Sequence, residues 1–247
     1  MKERIYGKRI NLDQENLVEF FKNRSQKYSE RSPLAAVLYQ DNNPELAIKR
    51  DKYEKSLVIP KLNFKKNDRV LDIGCGIGRW AEPLIGKVAE YNGNDLDEGL
   101  IKIARDNFSK YPYFSFECKK VQSYLDEKSN SNQKYDKIIV AGVLQYLNDN
   151  DVENVINYLI NLCKKSSIIY VRSSISLKER LTLNKVWSEE LQQNYSSIYR
   201  TDEEHITLLN PLFKNGFSLK VHQALYPENL NNRTETTQYI YILEKKE

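Results

Sequence analysis

The chain has 247 residues, a length that fits one large domain or one domain with a substantial appendage. Hydrophobic residues make up 40% and charged residues 29%, and nine Gly with seven Pro exclude collagen-like and low-complexity classes. A net charge of +4, from 38 basic and 34 acidic side chains, is too small to imply nucleic acid and is compatible with a small anionic substrate.

The three cysteines, Cys75, Cys118 and Cys163, form no CxxC pair and have no His at ligand spacing, so neither disulfides nor a metal site is expected. The longest apolar run, residues 138–144, is far short of the ~18 residues of a spanning helix, which predicts no membrane insertion. The basic start has no apolar segment behind it and does not read as a signal peptide, so the expected location is the cytoplasm.

In chain order, residues 1–64 read as a helical cap without strands, with helices over about 13–30 and 44–58, the second opened by Pro44. From residue 65 the pattern changes. A buried strand at 69–74 runs into Gly74, Gly76 and Gly78, and a helix is expected from about Arg79. A second strand ends at Asp95, and Leu100, Ile101, Ala104 and Phe108 recur at helical spacing. Strands at 113–118, 136–142 and 167–174 follow, with a surface loop at 128–134 and a helical stripe from Val152 to Cys163 between them. Thr201 and Glu204 form a capping box before a helix that Gly216 ends, and strands at 217–225 and 237–245 close the chain. This is the βαβ rhythm of a doubly wound, mainly parallel α/β sheet with an antiparallel C-terminal edge, spanning 65–247.

The glycine-rich turn carries the chemistry. Glycines there let the backbone approach a ligand closely, and a nucleotide-like ligand is expected. A dinucleotide fingerprint needs Gly or Ala where Arg79 stands, and Asp72 beside the turn repels a pyrophosphate, so a ligand with an ammonium group fits better. Asp95 follows Asp72 by 23 residues, near the ~20-residue offset of a carboxylate that accepts from ribose hydroxyls.

With these residues the sequence resembles the class I S-adenosylmethionine-dependent methyltransferases. VLDIGCGIG (70–78) looks like their first motif, NDLDEGLIKIA (94–104) like the second, and KYDKIIVAGVLQYL (134–147) like the fourth strand and the segment lining the transfer site. The resemblance implies a seven-stranded Rossmann-like sheet and S-adenosyl-L-methionine as cofactor, with S-adenosyl-L-homocysteine as product. It implies that Asp72 and the backbone of Gly74, Cys75, Gly76, Gly78 and Arg79 hold the methionine end. Asp95 and Leu96 then hold the ribose, and Ala141 and Gly142 line the reacting centre. The family places an Asp after the third strand for adenine, whereas this chain reads ECKKVQSY, so Val121 and Gln122 are expected there instead. Arg50 is a candidate partner for the methionine carboxylate. More loosely, residues 19–28, 45–55 and 199–205 resemble methyltransferases of bacterial capsule and surface-polysaccharide clusters, which implies a sugar, nucleotide-linked sugar or sugar-linked acceptor.

Candidate catalytic residues are His205, which titrates near neutral pH, and Tyr146, where relatives often carry His. Arg172, Arg180 and Arg200 are candidate anion-binding residues for the substrate. Cys75 reads as a small side chain that fits, and His222 as a solvated or packed edge-strand residue. The alternatives are N-methylation of an amino sugar or other small metabolite, and a catalytically silent cofactor-binding module. DNA or RNA methylation is disfavoured, because the Asn-Pro-Pro-aromatic tetrad that grips a flipped base is absent after the fourth strand.

Overall fold

A computed structural model describes residues 3–30 and 32–246. In chain order its elements are β1 (Glu3–Tyr6), α1 (Gln14–Ser25), α2 (Ala35–Leu38), α3 (Pro44–Leu62), β2 (Arg69–Ile73), β3 (Glu90–Asp95), α4 (Glu98–Phe108), β4 (Phe114–Cys118) and α5 (Val121–Asn130). They continue with β5 (Tyr135–Ala141), α6 (Asp149–Leu162), β6 (Cys163–Ser176), β7 (Leu181–Ser188), β8 (Gln193–Tyr199), α7 (Asp202–Lys214), β9 (Phe217–Ala224) and β10 (Thr236–Lys245).

The main sheet has seven strands in the order β4-β3-β2-β5-β6-β10-β9. Its first five are parallel, and β10 runs antiparallel between β6 and β9. This is the expected doubly wound α/β fold with an antiparallel edge. Strand order reverses beside β2, so the carboxyl ends of β2 and β5 diverge and leave a crevice. The helical stripes face the sheet: Leu100, Ile101, Ala104 and Phe108 of α4 are buried on one side, and Val152, Val155, Ile156 and Leu159 of α6 on the other. Each such Leu, Ile, Val or Phe side chain contributes about 1.5–3 kcal/mol of transfer free energy. From α3, Val58 and Leu62 share one apolar cluster with Val70, Tyr170 and Ile242 of the sheet.

Helix starts follow local chemistry. Asn43 caps α3, with Pro44 in the first turn, and Asp97 accepts from the Leu100 amide at 2.8 Å to cap α4. Thr201 and Glu204 complete a reciprocal capping box on α7.

Three expectations are corrected. The first 65 residues do contain a strand: β1 pairs antiparallel with β7, which pairs with β8, forming a separate three-stranded sheet. No α-helix begins at Arg79; the segment after the glycine turn is a run of turns with a 3-10 turn at Glu82–Leu84. Pro83 lacks a donor and Gly86 adopts φ +70, so too few residues separate Gly78 from Gly86 for a stable helix. The loop expected at 128–134 begins inside α5, which continues to Asn130.

Candidate functional site

The crevice between β2 and β5 opens into a cavity of about 920 Å³. Its floor is the turn after β2, the end of β3 and the segment after β5; its roof comes from α1, residues 37–40, the β7–β8 sheet and the loop 231–238. The roof is braced. Arg24, fully buried, donates to both carboxylate oxygens of Asp41 at 2.6 and 2.7 Å and to the Ala35 carbonyl, which fixes residues 35–41 over the glycine turn.

Gly74, Gly76 and Gly78 all have positive φ. At Gly74 a Cβ would lie 2.3 Å from Val143, and at Gly76 it would lie 3.0 Å from Val37, so the turn threads between the β5 segment and the roof only without side chains. Asp95 ties this turn to β3: its carboxylate accepts from the amides of Gly76 at 2.9 Å and Asp97 at 3.1 Å. Burial pushes its carboxyl above the usual range, while those amides pull the other way.

Of the expected cofactor set, Gly74, Cys75, Gly76, Arg79, Asp95, Leu96, Val121, Gln122, Ala141, Gly142 and Arg50 line the cavity. Asp72 and Gly78 do not. Asp72 is buried behind the turn, accepts from the Tyr91 hydroxyl, and is pushed up to about 7 by burial. Gly78 faces α4, where a Cβ would meet Phe108 at 2.6 Å. Cys75 packs against β3, so close that a Cβ on Gly93 would lie 2.8 Å from its sulfur. The Arg79 side chain is engaged by ion pairs to Asp51 and Glu54 at 2.8 and 2.9 Å, which leaves its backbone at the turn.

The expected catalytic and substrate residues fare differently. Tyr146 and Arg172 line the cavity, Arg172 paired with Glu54 at 3.3 Å. Arg180 and Arg200 do not reach it. Both are buried and bind Asp149, and Arg180 also binds Glu204 at 3.0 Å. His205 is also misplaced by the sequence reading. It is 1% exposed on the inner face of α7 against Tyr241, outside the cavity. Burial first, then Arg200 and Arg180, outweigh Asp202 and Asp149 and push its imidazole down to about 3. A neutral buried His in the folded state and an ordinary one in the unfolded state make stability fall with acidity from about pH 6.5 toward pH 3. Replacing His205 by Gln is therefore expected to remove an acid penalty on the order of 2 kcal/mol at pH 5 while leaving neutral-pH turnover unchanged, as melting curves and initial rates will show.

Cavity residues that the sequence reading missed include Tyr39, Tyr195, Tyr199 and Arg233, contributed by the roof, and Asn94 and Gln145. Among the described residues no group of His, Cys, Asp and Glu is placed to hold a metal, and no helix is long and apolar enough to cross a membrane.

Comparison with known proteins agrees with this architecture. The sheet and its crevice have the Rossmann-like α/β fold seen in solved structures of class I methyltransferases. Residues 70–166 match the family described as "Methyltransferase domain". A probable cobalt-precorrin-6B C(15)-methyltransferase of Saccharolobus solfataricus is 22% identical over 71% of this chain and 81% of its own length. Phosphoethanolamine N-methyltransferase 1 of Triticum aestivum is 29% identical over 50% of this chain, which spans only 25% of that enzyme. Among solved structures, phosphoethanolamine N-methyltransferase 1 of Haemonchus contortus, in complex with phosphoethanolamine and S-adenosylhomocysteine, superposes with a TM-score of 0.67 at 18% identity, covering 95% of this chain and 50% of that one.

Proposed function

We propose that the chain is an S-adenosylmethionine-dependent methyltransferase acting on a small anionic acceptor. The observation that carries this reading is the side-chain-free turn of Gly74 and Gly76, fastened to Asp95 at the point where strand order reverses and open to a 920 Å³ cavity. The residues fit the cofactor. Asn94 Oδ1 and Gln145 Oε1 are buried at the cavity wall without a partner, the kind of acceptor that an ammonium group satisfies. The turn amides and Asn94 would meet the methionine end, Asp95 the ribose hydroxyls, and Leu96, Val121 and Gln122 the adenine. Among the described residues Arg50 donates only to neutral oxygens, Leu230 O at 2.8 Å and Asn232 Oδ1 at 2.9 Å, so its charge is left for the methionine carboxylate.

Bound there, the cofactor supplies a sulfonium-activated methyl group. The protein positions the acceptor in line and excludes water with its roof. A sugar, nucleotide-linked sugar or sugar-linked group of surface polysaccharide is the acceptor class we propose, with the cytoplasm as the site of action. Its support is the motif resemblance in residues 19–28, 45–55 and 199–205, together with the guanidinium of Arg233, which lines the cavity with no ion pair among the described residues.

Calorimetry is expected to give micromolar S-adenosylmethionine binding. Asp95→Ala removes charge-assisted hydrogen bonds worth ~1.5–3 kcal/mol each, so affinity should fall at least tenfold. Equal affinity in the two proteins defeats the ribose assignment, and absence of binding in the wild type defeats the function. Transfer of labelled methyl to nucleotide sugars, polysaccharide fragments and RNA then identifies the acceptor pool.

A further inference from the structure

The acceptor end of the cavity is built from tyrosines. Tyr39, Tyr146, Tyr195 and Tyr199 all line it. Tyr146 and Tyr195 share a hydrogen bond at 3.0 Å, Tyr199 donates to Tyr195 at 3.5 Å, and the Tyr39 ring lies 6.5 Å from that of Tyr195. Tyr39 is held in the left-handed region at φ 54, a conformation costly for an aromatic residue, and the Arg24 guanidinium lies 4.9 Å from its ring centre. The cluster lies beside the cofactor turn: Tyr146 is three residues beyond Val143, the side chain that abuts Gly74.

Few groups at this end can act as a base. Among the described residues that line the cavity there is no His. Asp95 is tied to backbone amides, Glu235 to Arg4 and Tyr6, Glu190 to the Asn42 amide, and Glu189 to the Trp187 indole. Asp151, half-buried in the first turn of α6, is the remaining cavity carboxylate. Burial holds all four phenols above their ordinary range, so they accept and donate hydrogen bonds but stay protonated. A sugar hydroxyl needs its proton removed as it attacks, whereas an amine attacks through a lone pair once its ammonium has given a proton to water.

The Arg233 guanidinium also lines the cavity, with no carboxylate within ion-pair distance among the described residues. Its charge bears on Tyr199 and adds to that of Arg50. A guanidinium fork suits phosphate or carboxylate.

We infer that the acceptor is a zwitterionic amine, its nitrogen seated among Tyr39, Tyr146, Tyr195 and Tyr199 and its anionic group held by Arg233. Tyrosine faces attract an ammonium and give a neutral hydroxyl no cation–π gain. In the step itself the amine lone pair forms the N–C bond while the methyl–sulfur bond breaks and leaves its electron pair on sulfur. The amine starts neutral, so the product is a methylammonium and S-adenosylhomocysteine. This inference rests on the methyltransferase reading above and specifies its nucleophile.

The test uses the full chain, labelled S-adenosylmethionine and matched acceptors: 2-aminoethyl phosphate and glucosamine 1-phosphate, their hydroxyl isosteres 2-hydroxyethyl phosphate and glucose 1-phosphate, β-alanine as the carboxylate arm, and ethanolamine without an anion. Label is expected in the anionic amines and at least tenfold less in the isosteres. Arg233→Gln should raise KM for the preferred anionic amine tenfold or more, leave transfer to ethanolamine unchanged, and keep cofactor affinity within twofold. Tyr195→Phe and Tyr199→Phe, which keep the ring, should lower kcat/KM on the amine about tenfold with unchanged melting. Label in the hydroxyl isosteres, label in no amine, or hydroxyl methylation that Asp151→Asn abolishes overturns the inference. Calorimetric cofactor binding is read separately, so failure of the amine proposal and failure of the methyltransferase reading are distinguishable.

Discussion

Replacing Arg200 by Ala is expected to cost about 3–5 kcal/mol of stability, the range for removing one partner of a buried ion pair. The guanidinium is fully buried. Its Nε and Nη2 donate to Asp149 Oδ1 at 2.8 and 2.7 Å, Nη1 donates to the Leu144 carbonyl at 2.8 Å, and Nη2 also reaches the Leu147 carbonyl at 2.7 Å. One side chain thus fastens the start of α6 and the turn that carries Tyr146 to the end of β8. Removal leaves the Leu147 carbonyl and part of a carboxylate charge without partners, and the Leu144 carbonyl with only its bond from the Leu147 amide at 3.3 Å. For a chain of this size about 2–4 °C of melting temperature accompanies each kcal/mol, so the melting point should drop by roughly 6–20 °C. Burial alone would push Asp149 up; Arg180 and Arg200 hold it below its ordinary value. The pair's contribution is therefore present above the unfolded carboxylate pKa and lost as pH falls below it. Arg200→Lys should recover little, because an ammonium cannot span three acceptors in fixed directions. A variant that melts within 2 °C of wild type but shows a raised KM would return Arg200 to the substrate site.

That arginine also shows what a sequence conceals. Arg180 and Arg200 both follow β6 in the chain, and nothing local distinguishes a guanidinium that grips a ligand from one that clamps the frame. The deciding partner, Asp149, is 31 and 51 residues away. His205 was more legible than its capping position suggested: Leu209 and Leu212 follow at i+4 and i+7, which puts the imidazole on the apolar face of α7. Pro83 and Gly86 stood in plain view against a helix after the glycine turn. The second sheet was hidden for a different reason. Its strand β1 pairs across some 180 residues, Glu3 opposite Asn184, and the β7–β8 ladder is broken by an irregularity after Leu183, where Lys185 has φ 54 and the alternation of apolar residues lapses. Tyr39, Tyr195 and Arg233 reach the cavity only through that roof, so no motif announces them. What was legible was local. The strand at 69–73, its glycines, the acid ending the next strand and the helical stripes of α4 and α6 each specify their own geometry within a dozen residues.

Gly76→Val is expected to abolish cofactor binding, with affinity lowered at least a hundredfold, while the protein stays folded. Gly76 has φ +55, where a β-branched residue is strained by roughly 1–2 kcal/mol. The added Cβ would sit 3.0 Å from Val37, and the γ carbons extend further into space between the turn and the roof, the space the methionine end needs. Strain also pulls on the Gly76 amide, whose hydrogen bond to Asp95 holds that carboxylate in the cavity. The rest of the fold is spared, since Asp95 keeps its bond from the Asp97 amide and β2 pairs with β3 and β5 only as far as Ile73. Gly76→Ala, with the strain but without the γ carbons, should fall between wild type and Val. Gly74→Ala makes the contrast. Its Cβ would lie 2.3 Å from Val143, inside the packing of β2 on the β5 segment, so it should lower the melting temperature as well as the affinity. Circular dichroism and calorimetry on the three variants separate the two glycines. If Gly76→Val binds S-adenosylmethionine within threefold of wild type, the cofactor does not cross this turn, and the roof side of the cavity becomes its place.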